Sequence, residues 1–169
     1  MFFEKNWIIR LSGELFEAAV IVLVLYYVIF PVRITGDSML DTLKQGDRVL
    51  VSRAAAMLDM YKSGSIVILK YDSGDKTIKI VKRVAALEGD IIESRDGLLY
   101  INGNLMEGYL CPDMGDISFT LEEGQVFVLG DNPEESVDSR EFGPVQRKDI
   151  TGLVVMRFYP FDRICLLAC

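Results

Sequence analysis

Two residues of this chain combine side-chain type and setting suited to acyl transfer: Ser38 in the run GDSMLDTL and Lys82 in KTIKIVKRV. Along the second run the even positions are Ile78, Ile80, Lys82 and Val84, whereas Thr77, Lys79 and Arg83 are odd. Successive strand residues face opposite sides, so Lys82 points with the isoleucines. A lysine on an apolar face either snorkels past the sheet edge or is desolvated, and parity alone leaves both open.

Desolvation matters chemically. At its ordinary pKa of ~10.4 a lysine is protonated near neutrality and cannot accept a proton. Lowering that value to ~8 takes about 3 kcal/mol of differential solvation, within reach of burial beside apolar groups. Lys82 is therefore a candidate general base. Ser38 follows Gly36-Asp37 and precedes a possible helical turn, a setting that presents a hydroxyl and backbone N–H groups together. Taken alone it equally suits a helix N-cap, and pairing with Lys82 is what favours the nucleophile.

The remaining composition removes competing chemistries. The chain contains no histidine, which excludes Ser-His-Asp and Cys-His catalysis and histidine-bearing zinc sites. Cys111, Cys165 and Cys169 lack CxxC spacing and leave one unpaired, so neither a disulfide framework nor a metal cluster is expected, and no cofactor is required. The net charge is -7 over 169 residues. Glu4, Glu14 and Glu17 balance Lys5, Arg10 and Arg33, so the acidic excess falls on residues 36–169. Such a domain repels phosphate backbones, and no nucleic acid is expected as a partner.

Before these residues lies LFEAAVIVLVLYYVIFPV, residues 15–32, in which Glu17 is the only charge. As a helix it spans roughly 27 Å, close to the apolar thickness of a bilayer. Trp7, Tyr26 and Tyr27 suit interfacial positions. A single membrane anchor is the expectation; a buried core helix or a cleaved signal peptide, the latter with Gly36-Asp37-Ser38 as a small-x-small site, are the alternatives. Lys5 and Arg10 precede the run while Arg33, Lys44, Arg48 and Arg53 follow it, so counting bases does not orient it.

Beyond residue 46 the runs DRVLVS, SIVILKY, KTIKIVKRVAAL, DIIES, LLYIN, QVFVLG and ITGLVVMRFY read as strands. Asp96-Gly97 and Asn102-Gly103 read as hairpin turns. Short helices are expected around 39–44 and 54–61, and residues 104–125 as an exposed or loosely ordered excursion without chemistry of its own. The predicted architecture is mainly β, with antiparallel sheets or a partly closed β-barrel as the catalytic domain over residues 35–169. Residues 1–34 are predicted as an amino-terminal stub and one transmembrane α-helix.

In order, GDSMLDTL (36–43), KRVAALEGD (82–90) and GDNPEESVDSREFGPV (130–145) resemble the sequence boxes of type I signal peptidases, as do the preceding hydrophobic segment and RFYPFDR (157–163). The resemblance covers nearly the whole chain. It implies Ser38 as nucleophile, Lys82 as general base, and Ser136 as the hydroxyl that orients the lysine. It also implies Asp138 and Arg140 as a supporting ion pair, with Asp131 in the Gly-Asp-Asn of the third box. The backbone N–H of Ser38 would hold the oxyanion, and Gly36 lacks the side-chain hydroxyl that some relatives add there, as in Gram-positive members. Two positions depart from the family: its usual proline after Ser-Met-x is Asp41, and its usual arginine after Gly-Asp-Asn is Pro133. Asp41 places a carboxylate near Ser38, where it would disturb the nucleophile or raise the lysine pKa if it pointed inward.

The implied partners are signal peptides of pre-proteins held at the membrane, cut after small residues, together with the lipid bilayer. The implied location is the cell membrane, single-pass, with the amino terminus cytoplasmic and the catalytic domain extracytoplasmic. Two other readings remain: a Ser-Lys self-cleaving regulator, which normally carries a DNA-binding region in place of an anchor, and a non-catalytic membrane-tethered assembly factor descended from the peptidase.

Overall fold

The computed structural model describes residues 4–74 and 76–167. The side chains of Trp7, Tyr26 and Tyr27, and the whole of Cys169, lie outside the described residues, so their expected roles are not addressed by it.

The chain begins with α1 (Glu4–Val28), whose apolar side chains Leu15, Phe16 and Val20 through Leu25 are exposed and not packed into a core. Among the described residues no helix is long and apolar enough to cross a membrane. The last four residues of the apolar run leave the helix and enter β1 (Ile29–Arg33), which pairs antiparallel with β2 (Arg48–Ser52). A five-residue helix, α2 (Arg53–Met57), follows and is capped by Ser52, whose Oγ accepts the Ala55 N–H. It is shorter than the expected 54–61, and residues 39–44 form turns instead of a helix.

Next come β3 (Ile66–Asp72), β4 (Thr77–Ala86), β5 (Ile91–Arg95), β6 (Leu98–Ile101), β7 (Asn104–Leu110), β8 (Ile117–Thr120) and β9 (Gln125–Leu129). The chain closes with α3 (Ser139–Phe142), β10 (Val145–Gln146), β11 (Ile150–Tyr159) and β12 (Cys165–Leu166). All seven runs read as strands are strands. Asp96-Gly97 and Asn102-Gly103 join their strands as two-residue turns with both φ angles positive, the conformation that Asp-Gly and Asn-Gly tolerate best.

These strands make two open antiparallel sheets. One has the order β1-β2-β11-β3-β4-β9-β10, with β12 also on β11; the other has the order β7-β6-β5-β8. Of the two expected arrangements the antiparallel sheets are found and a closed barrel is not: the large sheet ends at β1 and at the two-residue β10, which do not pair. The strands that closure would need are diverted into the second sheet, where β5 to β8 pair only with one another. Residues 104–125, expected as a loose excursion, are ordered as β7, a 3-10 turn (Pro112–Met114) and β8.

The strand β3 is buried on both faces: Val67 and Leu69 join a cluster with Val84, Val126, Val128 and Leu153, while Ile66 and Ile68 join Ile34, Met39, Leu43 and Val51. A third cluster, including Phe127, Leu129, Ile92 and Leu99, fastens the small sheet to the end of β4 and β9. The candidate residues therefore stand on a support whose core packing holds both strand ends.

Candidate active site

Strand parity placed Lys82 on an apolar face, and it is 3 % exposed in the middle of β4, between exposed Lys79 and buried Val84. Burial lowers its pKa from the ordinary lysine value; the Asp138 carboxylate opposes that shift and the Arg140 cation adds to it. Its Nζ donates to Ser136 Oγ at 2.7 Å.

The direction of that bond is fixed by its neighbour. Ser136 Oγ has one hydrogen, and it is donated to Asp138 Oδ2 at 2.7 Å, leaving the oxygen to accept from Lys82. Asp138 is fully buried, and its carboxylate also accepts the Gly130 N–H at 2.9 Å and the Arg140 guanidinium at 2.9 and 3.0 Å. Burial alone would raise its pKa, but Arg140, Gly130 and Ser136 outweigh it and hold the carboxyl below its ordinary value. Arg140 spends its remaining donors on the carbonyls of Leu110, Pro133 and Ser136.

Pro133, one of the two departures, opens a 3-10 turn (Pro133–Glu135), a position where a missing N–H has no cost. The other departure, Asp41, has φ +80°, a conformation closed to proline. Its side chain is exposed and is not among the charges acting on Lys82, so the feared inward carboxylate is not found.

Ser38 is half-buried and lines a cleft of about 200 Å³ together with Lys82, Gly36, Met39, Ile80 and Val81. Gly36 has φ +92° and open space where a Cβ would stand. Among the described residues no hydrogen bond joins Ser38 to Lys82; they share the cleft without that contact.

Asp131 pairs with Arg83, the neighbour of the buried lysine, through two parallel bonds of 2.7 and 2.6 Å. Arg83 also reaches the Gly64 carbonyl and Thr42 Oγ1, so one guanidinium ties the loop after Ser38 to β4 and to the third box. Arg157 holds the same loop by donating to the Thr42 carbonyl and to Asp47.

Three residues were missed by sequence reasoning because their contacts exist only across the fold. Arg83 occupies the odd, outward parity of β4 and reads as a solvated charge. Asn132 donates its backbone N–H to the Ser38 carbonyl at 3.0 Å and its side-chain Nδ2 to the Asp37 carbonyl at 3.1 Å. Gly130 passes so close that a Cβ would land on Ser136 Oγ and on the Ser38 carbonyl oxygen. The glycine of GDN was the one available signal for that close approach.

The assembled groups have the parts of a Ser-Lys acyl-transfer centre: a hydroxyl in a cleft, a desolvated amine, and a carboxylate-backed hydroxyl that fixes the amine. The family model described as "Signal peptidase, peptidase S26" matches residues 8–159. The signal peptidase I of Bacillus licheniformis is 32 % identical, with 95 % of this chain and 94 % of that protein covered. The signal peptidase IB of Staphylococcus aureus is 31 % identical, with 93 % and 90 % covered. A solved signal peptidase I from Enterococcus faecalis is 28 % identical and covers 55 % of this chain and 95 % of its own, with a TM-score of 0.42. With a family model spanning nearly its whole length, the chain belongs to the signal peptidase family, peptidase S26.

Proposed function

We propose that this peptidase is a membrane-anchored serine endopeptidase that removes signal peptides from secreted pre-proteins, with Ser38 as nucleophile and Lys82 as general base. The observation that carries this reading is Lys82 itself: buried, lowered in pKa, and bonded at one face to a hydroxyl whose own hydrogen is committed to Asp138.

A neutral lysine amine has two hydrogens and a lone pair. Donating one hydrogen to Ser136 leaves the lone pair available to take the Ser38 proton as Oγ attacks the scissile carbonyl. The Ser38 N–H holds the developing oxyanion, and the same lysine then activates the water that hydrolyses the acyl-enzyme. The narrow cleft, walled by Met39, Ile80 and Val81, suits the small side chains expected at the cut.

The anchor reading rests on the apolar run 15–32 and on the exposed apolar side chains of α1. In this reading the amino terminus is cytoplasmic and the peptidase domain faces outward. Both proteolytic protection of residues 36–169 from an external protease and their presence in a soluble fraction would contradict it.

The catalytic reading is tested by cleavage of a synthetic signal-peptide substrate in detergent by wild type, Ser38→Ala and Lys82→Ala. Both variants are expected to be inactive, and wild-type activity is expected to rise into the alkaline range with an apparent pKa below the ordinary lysine value of 10.5. Equal activity in all three proteins sinks the pair.

A further inference from the structure

The peptide unit joining Asp37 to Ser38 is held at one end only. Its carbonyl oxygen accepts two hydrogen bonds, from the Leu40 N–H at 3.0 Å and from Asn132 Nδ2 at 3.1 Å, which uses both lone pairs. At the opposite end of the same unit is the Ser38 N–H, which has no partner among the described residues. A peptide unit is planar, so fixing its carbonyl fixes the direction of its N–H. A bond accepted at the carbonyl also polarises the N–H as a donor.

We infer that Asn132 is a positioning residue for the oxyanion site: its side chain aims the Ser38 N–H at the substrate carbonyl and strengthens it as a donor. This rests on the reading of Ser38 as nucleophile and adds a role that neither the lysine nor its supports supply. Gly36 makes the dependence sharper, since with no side-chain hydroxyl there this N–H has no hydroxyl partner from residue 36 in holding the oxyanion.

The backbone of Asn132 contributes separately. Its N–H donates to the Ser38 carbonyl, and that donor is kept in any substitution other than proline. Asn132→Ala therefore removes the bond to Asp37 while keeping the loop tethered. Asn132→Asp keeps the size but sets an acceptor against the Asp37 carbonyl.

The experiment uses the full chain in detergent with a signal-peptide substrate and a matching peptide aldehyde, which forms a tetrahedral adduct with a serine oxygen and so needs the oxyanion donor. In Asn132→Ala, kcat is expected to fall about 10- to 100-fold, less than or equal to the loss of a whole oxyanion donor, with KM unchanged. Aldehyde affinity falls by the same factor, and the alkaline pKa of the rate profile stays in place because Lys82 is untouched. Asn132→Asp is expected to be slower still. Wild-type kcat in both variants, a loss carried by KM, or a moved pKa with unchanged aldehyde affinity each overturns the inference. Should Ser38→Ala retain full activity, the catalytic reading fails first; normal Asn132 variants beside an inactive Ser38→Ala overturn this inference alone.

Discussion

Lys82 Nζ donates to Ser136 Oγ across 54 positions of sequence, and Ser136 Oγ donates onward to Asp138. The order of donors decides the chemistry. Were Ser136 to give its hydrogen to the lysine, it would occupy the lone pair that proton abstraction requires. Because Asp138 claims that hydrogen, the amine is held by one of its own hydrogens, and a neutral amine so held keeps its lone pair open.

Replacing Ser136 with alanine removes the only hydrogen-bond acceptor of Nζ among the described residues. The amine then rotates freely about its long stem, and fewer of its orientations face Ser38. A fall in kcat on the order of 10- to 100-fold with little change in KM is expected, since positioning and proton transfer are lost while peptide binding is not. Steady-state kinetics decide it; a rise in KM at constant kcat would assign Ser136 to substrate binding.

Lys82 costs the fold stability at neutral pH. Its folded pKa is lower than its unfolded one, so between the two values the unfolded chain binds a proton that the folded chain releases. Stability attributable to this group therefore rises with pH across that window, up to about 10.5, and below the folded pKa the full penalty of a buried cation applies. Lys82→Met is expected to be inactive yet more stable at pH 7, by on the order of 1 kcal/mol, or about 2–4 °C in Tm for a chain of this size. Thermal unfolding of both proteins at pH 7 and pH 10 measures it. A variant that melts lower than wild type would mean that the lysine stabilises the site instead.

Gly130 is fixed by approach, not by φ. A methyl group there meets the Ser38 carbonyl and Ser136, and the first of these is backbone that cannot rotate away. Gly130→Ala is expected to cost about 1–3 kcal/mol of stability and to displace both the loop that carries Ser38 and the lysine's partner, with near-complete loss of activity. Denaturant unfolding with a parallel cleavage assay tests this; an alanine variant with wild-type kcat would show that the loop yields without consequence.

What the sequence made legible was local. Strand parity singled out Lys82 because β4 is regular from Thr77 to Val84, and Asp-Gly and Asn-Gly announced their turns because only those residues accept positive φ cheaply there. β7 stayed hidden because it has no alternation: most of its residues are exposed, and it is a strand only because β6 pairs with it. Asn132 and Arg83 were opaque for the same reason, since each acts on atoms far along the chain. The choice between open antiparallel sheets and a partly closed barrel was equally illegible, because the order of strands along the chain does not say that β5 to β8 pair with one another.

Asp138 gives the site an acid limit distinct from the alkaline one. Burial would raise its pKa, but the Arg140 guanidinium and the bonds from Gly130 and Ser136 lower it on balance, so its folded value lies under the ordinary 3.8. For a depressed carboxyl the stabilising contribution is complete above the unfolded value and is lost as pH falls through the folded one. In Asp138→Asn the loss occurs at every pH, because Arg140, only 10 % exposed at its side chain, is left without its counter-charge. A cost of about 3–5 kcal/mol is expected at pH 7, and this group's share of the stability decline below pH 3.8 should vanish in the variant. Denaturant midpoints between pH 2 and 7 for the two proteins give the comparison. Parallel curves, offset but with the same acid slope, would show that the acid sensitivity resides in other carboxylates and that the Asp138 to Arg140 pair contributes only at constant charge.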